Sequence, residues 1–320
     1  MFHMNQIRVI RPADRQMIHS SKPNKSGVFH LNDISSREIA SFIDWTPFFQ
    51  TWELHGRYPR ILKDEIVGEE ASKLFKDAQE MLNHALEKNW LEVEAVYGIW
   101  EANTIEDDIF IFDEKDELLA VSHCLRQQTK KSSKAFNMSL SDFIAPKSAG
   151  IKDYIGAFVV TAGKKIDQIA KKFEEDLDDY NSIMIKALAD RMAEAAAEYL
   201  HQKVRKEYWG YAEEQFSNEE LIKEKYQGIR PAPGYPACPD HTEKETIFHL
   251  LDATNKVGVE LTESLAMYPV SSVSGWYFSN PESKYFGLGK IKMDQVEELS
   301  TRKKVDDSVM KKWLSPNLDD

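Results

Sequence analysis

The sequence predicts an α+β fold built on a largely antiparallel sheet. Short β-branched or aromatic runs are grouped along the chain instead of alternating strictly with helices, which disfavours a doubly wound parallel sheet. The helical stretches are long and periodic, and the longest contains neither glycine nor proline. With 320 residues, 42% hydrophobic and 29% charged, the chain has enough apolar material for a sizeable core, in one large domain or two small ones.

Residues 1–30 are polar and weakly patterned, and read as an arm or interdomain linker before a domain spanning residues 31–320. Ser35–Asp44 follows as a helix, with Ser35 or Ser36 as N-cap and Glu38 suitably placed. Thr46-Pro47 opens a second helix with proline in its first turn. Leu74, Ala78, Met81, Leu82 and Ala85 recur at helical spacing, so Glu69–Lys88 is an amphipathic helix. Val93–Trp100, Asp108–Phe112 and Leu118–Ser122 read as strands separated by charged turns, and Tyr154–Thr161 as a further one. After Gly163-Lys164-Lys165 comes a helix to about Phe173. Asp178–Tyr208 is the longest helical pattern, with an alanine-rich centre from Ala193 to Ala197. Asn218–Lys225 and Thr242–Ala253 are helical, Val257–Leu261, Ser272–Phe278 and Tyr285–Leu288 strand-like, and Met293–Lys304 and Asp306–Leu314 close the chain as helices.

Several classes are disfavoured. A net charge of −12 argues against nucleic acid as a partner. No stretch approaches 18 apolar residues, and no apolar signal core follows the start, so no membrane role is expected. Cys124 and Cys238 give no disulfide framework and suit a reducing cytoplasm. Cys238 and His241 lie three apart, but the remaining ligands of a zinc site are missing, so no metal is expected. Phe286-Gly287-Leu288-Gly289-Lys290 lacks the spacing of either nucleotide fingerprint.

The segment Arg230–Lys244, RPAPGYPACPDHTEK, carries most of the functional information. Four of the chain's twelve prolines fall within nine residues here, each fixing φ and removing a donor. A rigid irregular segment between two helices shapes a site more often than it links domains. Arg230 suits a bidentate carboxylate, though an isolated loop arginine is more often a surface ion pair. Gly234 permits close approach of a ligand to the main chain, or simply a turn. Ala232, Gly234 and Tyr235 leave backbone groups for a ligand to meet. Asp44, between two helices, either caps the second or meets an ammonium. Glu194, three residues after Arg191, either forms an exposed ion pair or contacts a ligand. Tyr285 and Phe286 either pack in the core or present a ring to a flat or cationic group. Two basic groups, Lys164/Lys165/Lys171/Lys172 and Lys130/Lys131/Lys134, read as solvated faces, or as docking points for an acidic partner.

The loop is similar to the S-adenosylmethionine-binding motif of the reactivation domain of cobalamin-dependent methionine synthase. Further segments resemble that family in the same order: Ile43–Phe49 (IDWTPFF), Lys186–Arg191 (KALADR), Tyr208–Tyr211 (YWGY) and Val273–Phe278 (VSGWYF), so the resemblance runs from about residue 35 to the end. It implies a single C-shaped domain with a bent antiparallel sheet. It implies S-adenosylmethionine held by Asp44, Glu194, Arg230, Ala232, Gly234, Tyr235, Tyr285 and Phe286, with no catalytic acid or base in the chain. It implies a methyl group positioned for reductive methylation of cobalamin on another domain, with an electron from flavodoxin or a related flavoprotein. The partners implied are that cobalamin-binding domain and the reductase, with the chain itself a monomer. The chain lacks the D-x-H-x-x-G of a cobalamin domain and the cysteines of a zinc-dependent homocysteine domain, so alone it is expected to bind without turnover. The alternatives are a stand-alone S-adenosylmethionine sensor, or an unrelated methyltransferase, against which the absence of G-x-G-x-G after a strand counts.

Overall fold

The computed structural model describes residues 19–128, 136–213 and 215–319. Its centre is an antiparallel sheet of six strands: β1 (Gly27–Leu31), β2 (Glu94–Ile105), β3 (Asp108–Phe112), β4 (Leu118–His123), β5 (Asp153–Thr161) and β8 (Ser272–Tyr277), in the order β4-β3-β2-β5-β8. The long β2 is shared along one edge, its first half pairing β1 and its second half β3. Its other edge pairs β5 from Glu94↔Thr161 to Ala102↔Asp153. A separate two-stranded ribbon joins β6 (Glu260–Leu261) and β7 (Met267–Tyr268).

The sheet is covered on both faces. In β5 alternate side chains enter different cores: Tyr154, Phe158 and Val160 on one side, Ile155, Ala157 and Val159 on the other. A strand buried twice has no polar face, so Tyr154–Thr161 is an unbroken apolar run instead of an alternation. The first face carries α1 (Ser36–Ala40), α2 (Thr46–Thr51), α3 (Gly68–Glu87), α4 (Ile166–Glu175) and α5 (Asp179–Lys203). The second carries α7 (Glu243–Leu251) and α8 (Ala253–Val257). The last two helices, α9 (Met293–Lys303) and α10 (Asp307–Leu314), pack on each other around Val296, Leu299, Met310 and Leu314. No helix among the described residues is long and apolar enough to cross a membrane.

Local chemistry explains most boundaries. Ser35 accepts the Glu38 N–H at the start of α1, and Asp178 accepts the Asn181 N–H at the start of α5. After Lys203 the long helix widens into a π turn, Val204–Tyr208, which turns Arg205 inward and stacks Tyr208 on Tyr97 with ring centres 4.7 Å apart.

The structure corrects several sequence expectations. Gly27–Leu31 is a sheet strand straddling the expected boundary at residues 30/31, and Asn24 and Lys25 donate to the carbonyls of Trp209 and Tyr208. Val257 ends a helix, leaving only Glu260–Leu261 as strand, because Gly258 at φ +65° terminates that helix. Tyr285–Leu288 is irregular; Leu288 N–H is taken by Pro236 O at 2.8 Å, one bond to a loop and not a ladder. Lys164, Lys165 and Lys171 sit against Glu94, Glu92 and Glu175, so most of that basic group is neutralised by its own neighbours. Lys130, Lys131 and Lys134 lie outside the described residues.

Candidate functional site

Helix α6 (Asn218–Ile222) leads into the proline-rich loop, which docks on the free edge of β8. Ile229 and Phe278 exchange both backbone hydrogen bonds at 3.1 and 3.0 Å, and Trp276 N–H donates to Pro231 O at 2.9 Å. The prolines therefore do not prevent all pairing; they truncate it, since Pro231 and Pro233 have no N–H to return. The close approach requires Gly275, whose absent Cβ would stand 2.9 Å from Pro231 O. At Gly234, with φ +96°, the loop turns away, and Gly234 N–H bonds to Cys238 O at 2.7 Å. A side chain there would also strike the His241 ring at 2.5 Å.

The loop's far end is pinned electrostatically. Asp240 accepts from the backbone and hydroxyl of Thr242. Lys303 of α9 reaches Asp240 at 2.7 Å and Glu243 at 2.6 Å, all three side chains being largely buried. Burial disfavours the Lys303 charge, but the two carboxylates outweigh it and hold its pKa above the ordinary lysine value.

Where loop and β8 part, a cleft of about 770 Å³ opens, lined by the loop from Arg230 to Ala237, by Glu194 of α5, by His241 and Lys244, and by Tyr285–Gly287. A smaller cleft of about 210 Å³, which includes Asp44 and Arg191, shares Glu194, Glu224 and Arg230 with it. Seven of the eight residues singled out from sequence thus line the main cleft: Glu194, Arg230, Ala232, Gly234, Tyr235, Tyr285 and Phe286. Asp44 lines the smaller one, and Arg230 borders both.

Arg230 is largely buried. Its Nη2 donates to Glu198 Oε2 at 3.2 Å, Nη1 stands 4.0 Å from Glu194 Oε2, and Nε has no partner. Burial opposes the charge, yet Glu198, Tyr226, Tyr285 and Glu194 more than offset it and keep the guanidinium cationic. Its own N–H donates to the Tyr285 hydroxyl at 3.0 Å, which fixes that ring as a wall while leaving it partly exposed. Phe286 is buried, edge-on to Phe143, so it is a core ring that also borders the cleft. Asp44 caps as the simpler reading has it, Oδ1 accepting Thr46 N–H at 2.9 Å.

Beneath Arg230 a column of rings supports the floor. Phe158 stacks on Tyr277 at 4.7 Å, Tyr277 on His201 at 5.2 Å, and His201 meets Tyr226 edge-on. Burial, with Arg205 and Arg230 nearby, holds His201 neutral.

Sequence reasoning missed five residues of this site. Glu198 lies one helical turn after Glu194 on the same face, a spacing that could have flagged it. Glu224 borders both clefts, its carboxyl pKa raised by burial against the opposing pull of Arg230. His241 belongs to the cleft wall; its Nδ1 faces Lys244 Nζ at 3.1 Å. Lys244 also bonds Leu265 O at 2.7 Å, and burial lowers its pKa. Ser274 carried no signal, since a serine in a strand reads as ordinary alternation. Among the described residues, no three His, Cys, Asp or Glu side chains are grouped to hold a metal ion.

Residues 35–304 match the family model of the activation domain of vitamin B12-dependent methionine synthase. The chain belongs to this family. A solved structure described as the MetH reactivation domain bound to AdoHcy is similar throughout, with 53% sequence identity, 96% of this chain and 95% of that chain covered, and a TM-score of 0.92. The antiparallel α+β architecture above is therefore that of an activation domain, and the proline-rich loop on the edge of β8 falls within the matched residues.

Proposed function

We propose that this activation domain is the reactivation module of a cobalamin-dependent methionine synthase and binds S-adenosylmethionine in the paired clefts. The observation that carries the reading is the charge pattern: one guanidinium with an unpartnered Nε, bordered by Asp44, Glu194, Glu198 and Glu224. S-adenosylmethionine has one carboxylate and two cationic centres, ammonium and sulfonium. Arg230 would take the carboxylate, Asp44 in the smaller cleft the ammonium, and Glu194 a ribose hydroxyl or the remaining positive charge. The backbone of Ala232, Gly234 and Tyr235, with the rings of Tyr285 and Phe286, would enclose the nucleoside. AdoHcy in the similar solved structure supports a ligand of this class, and the cleft volume falls in the range of small-molecule sites.

When bound, S-adenosylmethionine supplies an electrophilic methyl group for reductive methylation of a cobalamin held on a separate domain, with the electron delivered by flavodoxin or a related flavoprotein. This chain's residues bind and orient; none is assigned as acid or base, so the contribution is positional. The module acts as a monomer within a cytoplasmic methyltransferase, and in isolation binds without turnover. Its folded unit begins a few residues before position 31, where β1 and the Asn24–Lys25 contacts join the body.

Calorimetric titration of the chain with S-adenosylmethionine tests the reading. Saturable one-to-one binding, lost in Arg230→Ala, is expected. Absence of binding by the folded wild-type chain would overturn it.

A further inference from the structure

The main cleft crosses an unfinished sheet edge. The register of β5 against β8 makes alternate residues of β8 point their peptide groups at β5: Ala162 N–H bonds Ser271 O, and the same parity continues through Val273, Gly275 and Tyr277. The even-numbered residues face the opposite edge. Phe278 finds Ile229 there, and Trp276 N–H finds Pro231 O. The next residue of that parity is Ser274. Its loop counterpart is Pro233, which has no N–H, and at Gly234 the loop has already turned away. Among the described residues no hydrogen bond takes the Ser274 N–H, and its buried Oγ, in a residue 2% exposed, has no partner. Ser274 lines the cleft together with Ser272 and Val273.

Buried backbone polar groups are almost always paired. One residue here offers a peptide N–H, a peptide C=O and a hydroxyl on a cleft wall, a few residues from apolar surface supplied by Pro231, Ala237 and Met267. The opposite end of the cleft differs, because the Tyr285 hydroxyl is already committed to Arg230 N–H.

We infer that the free edge of β8 at Ser274 reads the adenine base, making Ser274 the residue that sets nucleobase specificity. The inference rests on the proposed binding of S-adenosylmethionine. With the amino-acid portion anchored at Arg230 and Asp44, the nucleoside extends along the loop towards Ser274. Adenine presents an N6–H donor beside a ring-nitrogen acceptor, at N1 on one edge and N7 on the other. The Ser274 C=O accepts the first and its N–H donates to the second, while Oγ supplies a third contact. Reading through the main chain makes the selectivity independent of side-chain rotamers.

The test uses two probes in calorimetry: S-adenosylhomocysteine, and S-inosylhomocysteine, in which an O6 acceptor replaces the N6 donor. The intact chain is expected to favour the adenosyl probe by about 10- to 100-fold, in line with the discrimination of a bidentate pair. Ser274→Ala should weaken the adenosyl probe a few-fold and keep most of the preference. Ser274→Pro removes the N–H without breaking a sheet bond, because that N–H faces away from β5, and should collapse the preference. Should the proline variant not fold, amide exchange at residue 274 of the wild-type chain replaces it, with slowing on saturation by S-adenosylhomocysteine expected. Equal affinity for both probes, an undiminished preference in a folded Ser274→Pro, or unchanged exchange at residue 274 overturns the inference while leaving ligand binding intact. Failure of both probes to bind the folded wild-type chain overturns it together with the reading on which it rests.

Discussion

Glu198 Oε2 lies 3.2 Å from Arg230 Nη2, while its Oε1 faces Arg205 Nη1 at 3.6 Å. One carboxylate thus stands between two guanidinium groups, the inner of them fully buried and stacked 3.9 Å over the Tyr226 ring. The arrangement is asymmetric. Removing Arg230 leaves Glu198 with Arg205, whereas removing Glu198 leaves two buried cations short of an anion. Glu198→Ala is therefore expected to destabilise by about 3–5 kcal/mol, and Arg230→Ala by clearly less. Urea denaturation of the two variants checks the order. An equal or reversed ranking would show that Glu198 is not the keystone of the pair.

Lys303 joins the last helix pair to the end of the ligand loop, and its partners Asp240 and Glu243 are nearly inaccessible. Glu243 also accepts from Ser122 Oγ at 2.6 Å, so the same carboxylate fastens β4. Lys303→Met keeps the packing volume but strands two buried carboxylates, with an expected loss of about 3–5 kcal/mol. Because the pKa of Lys303 is raised on folding, its stabilisation is complete below the unfolded lysine value and fades only as pH rises through the folded one. The deficit of the variant should hence be constant from neutral to mildly alkaline pH. A deficit that disappears near pH 7 would contradict the assignment.

The elements most legible in the sequence were those decided locally. The Glu69–Lys88 pattern survives as α3 within one residue at each end, because its periodic Leu74, Ala78, Leu82 and Ala85 are the buried stripe. The strands near the site were less legible. Tyr285 and Phe286 look β-prone, yet one hydroxyl bond to Arg230 and one backbone bond to Pro236 replace a ladder. The loop was visible through its prolines and Arg230, while its surroundings were not. Ser274 matters because of which edge of β8 it faces, and that parity depends on pairing with a strand more than 100 residues away. Glu224 takes part through a left-handed backbone at φ 51°, which no residue type announces.

Asp153 gives the domain a distinct acid response. Burial pushes its carboxyl up from 3.8 to about 6, against the lowering pull of the Ala145 and Tyr154 N–H groups it accepts. The folded state thus holds a proton that the unfolded chain has released, so the contribution of this group is greatest below about pH 4 and is lost as pH rises to about 6. The swing is about 3 kcal/mol by linkage. Asp153→Asn removes it. The difference in unfolding free energy between wild type and variant should move in the variant's favour by that order between pH 4 and pH 7. A difference that stays flat would mean that the two N–H bonds, and not burial, set the titration.

Gly275 and Gly287 border the same cleft but meet different surroundings, which separates loop placement from loop composition. A Cβ on Gly275 would stand 2.9 Å from Pro231 O and 3.0 Å from Phe158 Cε1, and the first of these is backbone that cannot rotate aside. On Gly287 a Cβ would meet nothing within 4 Å. Gly275→Ala must move the loop off β8, weakening the Trp276 N–H bond to Pro231 O and tilting Arg230 with it. A stability loss of about 1–3 kcal/mol is expected from such overpacking, together with at least a tenfold loss of S-adenosylhomocysteine affinity. Gly287→Ala should leave both within error. Calorimetry and thermal melting of the pair check the argument. If Gly275→Ala bound the ligand as well as Gly287→Ala does, the seating of the loop on β8 would not be what holds Arg230 in register.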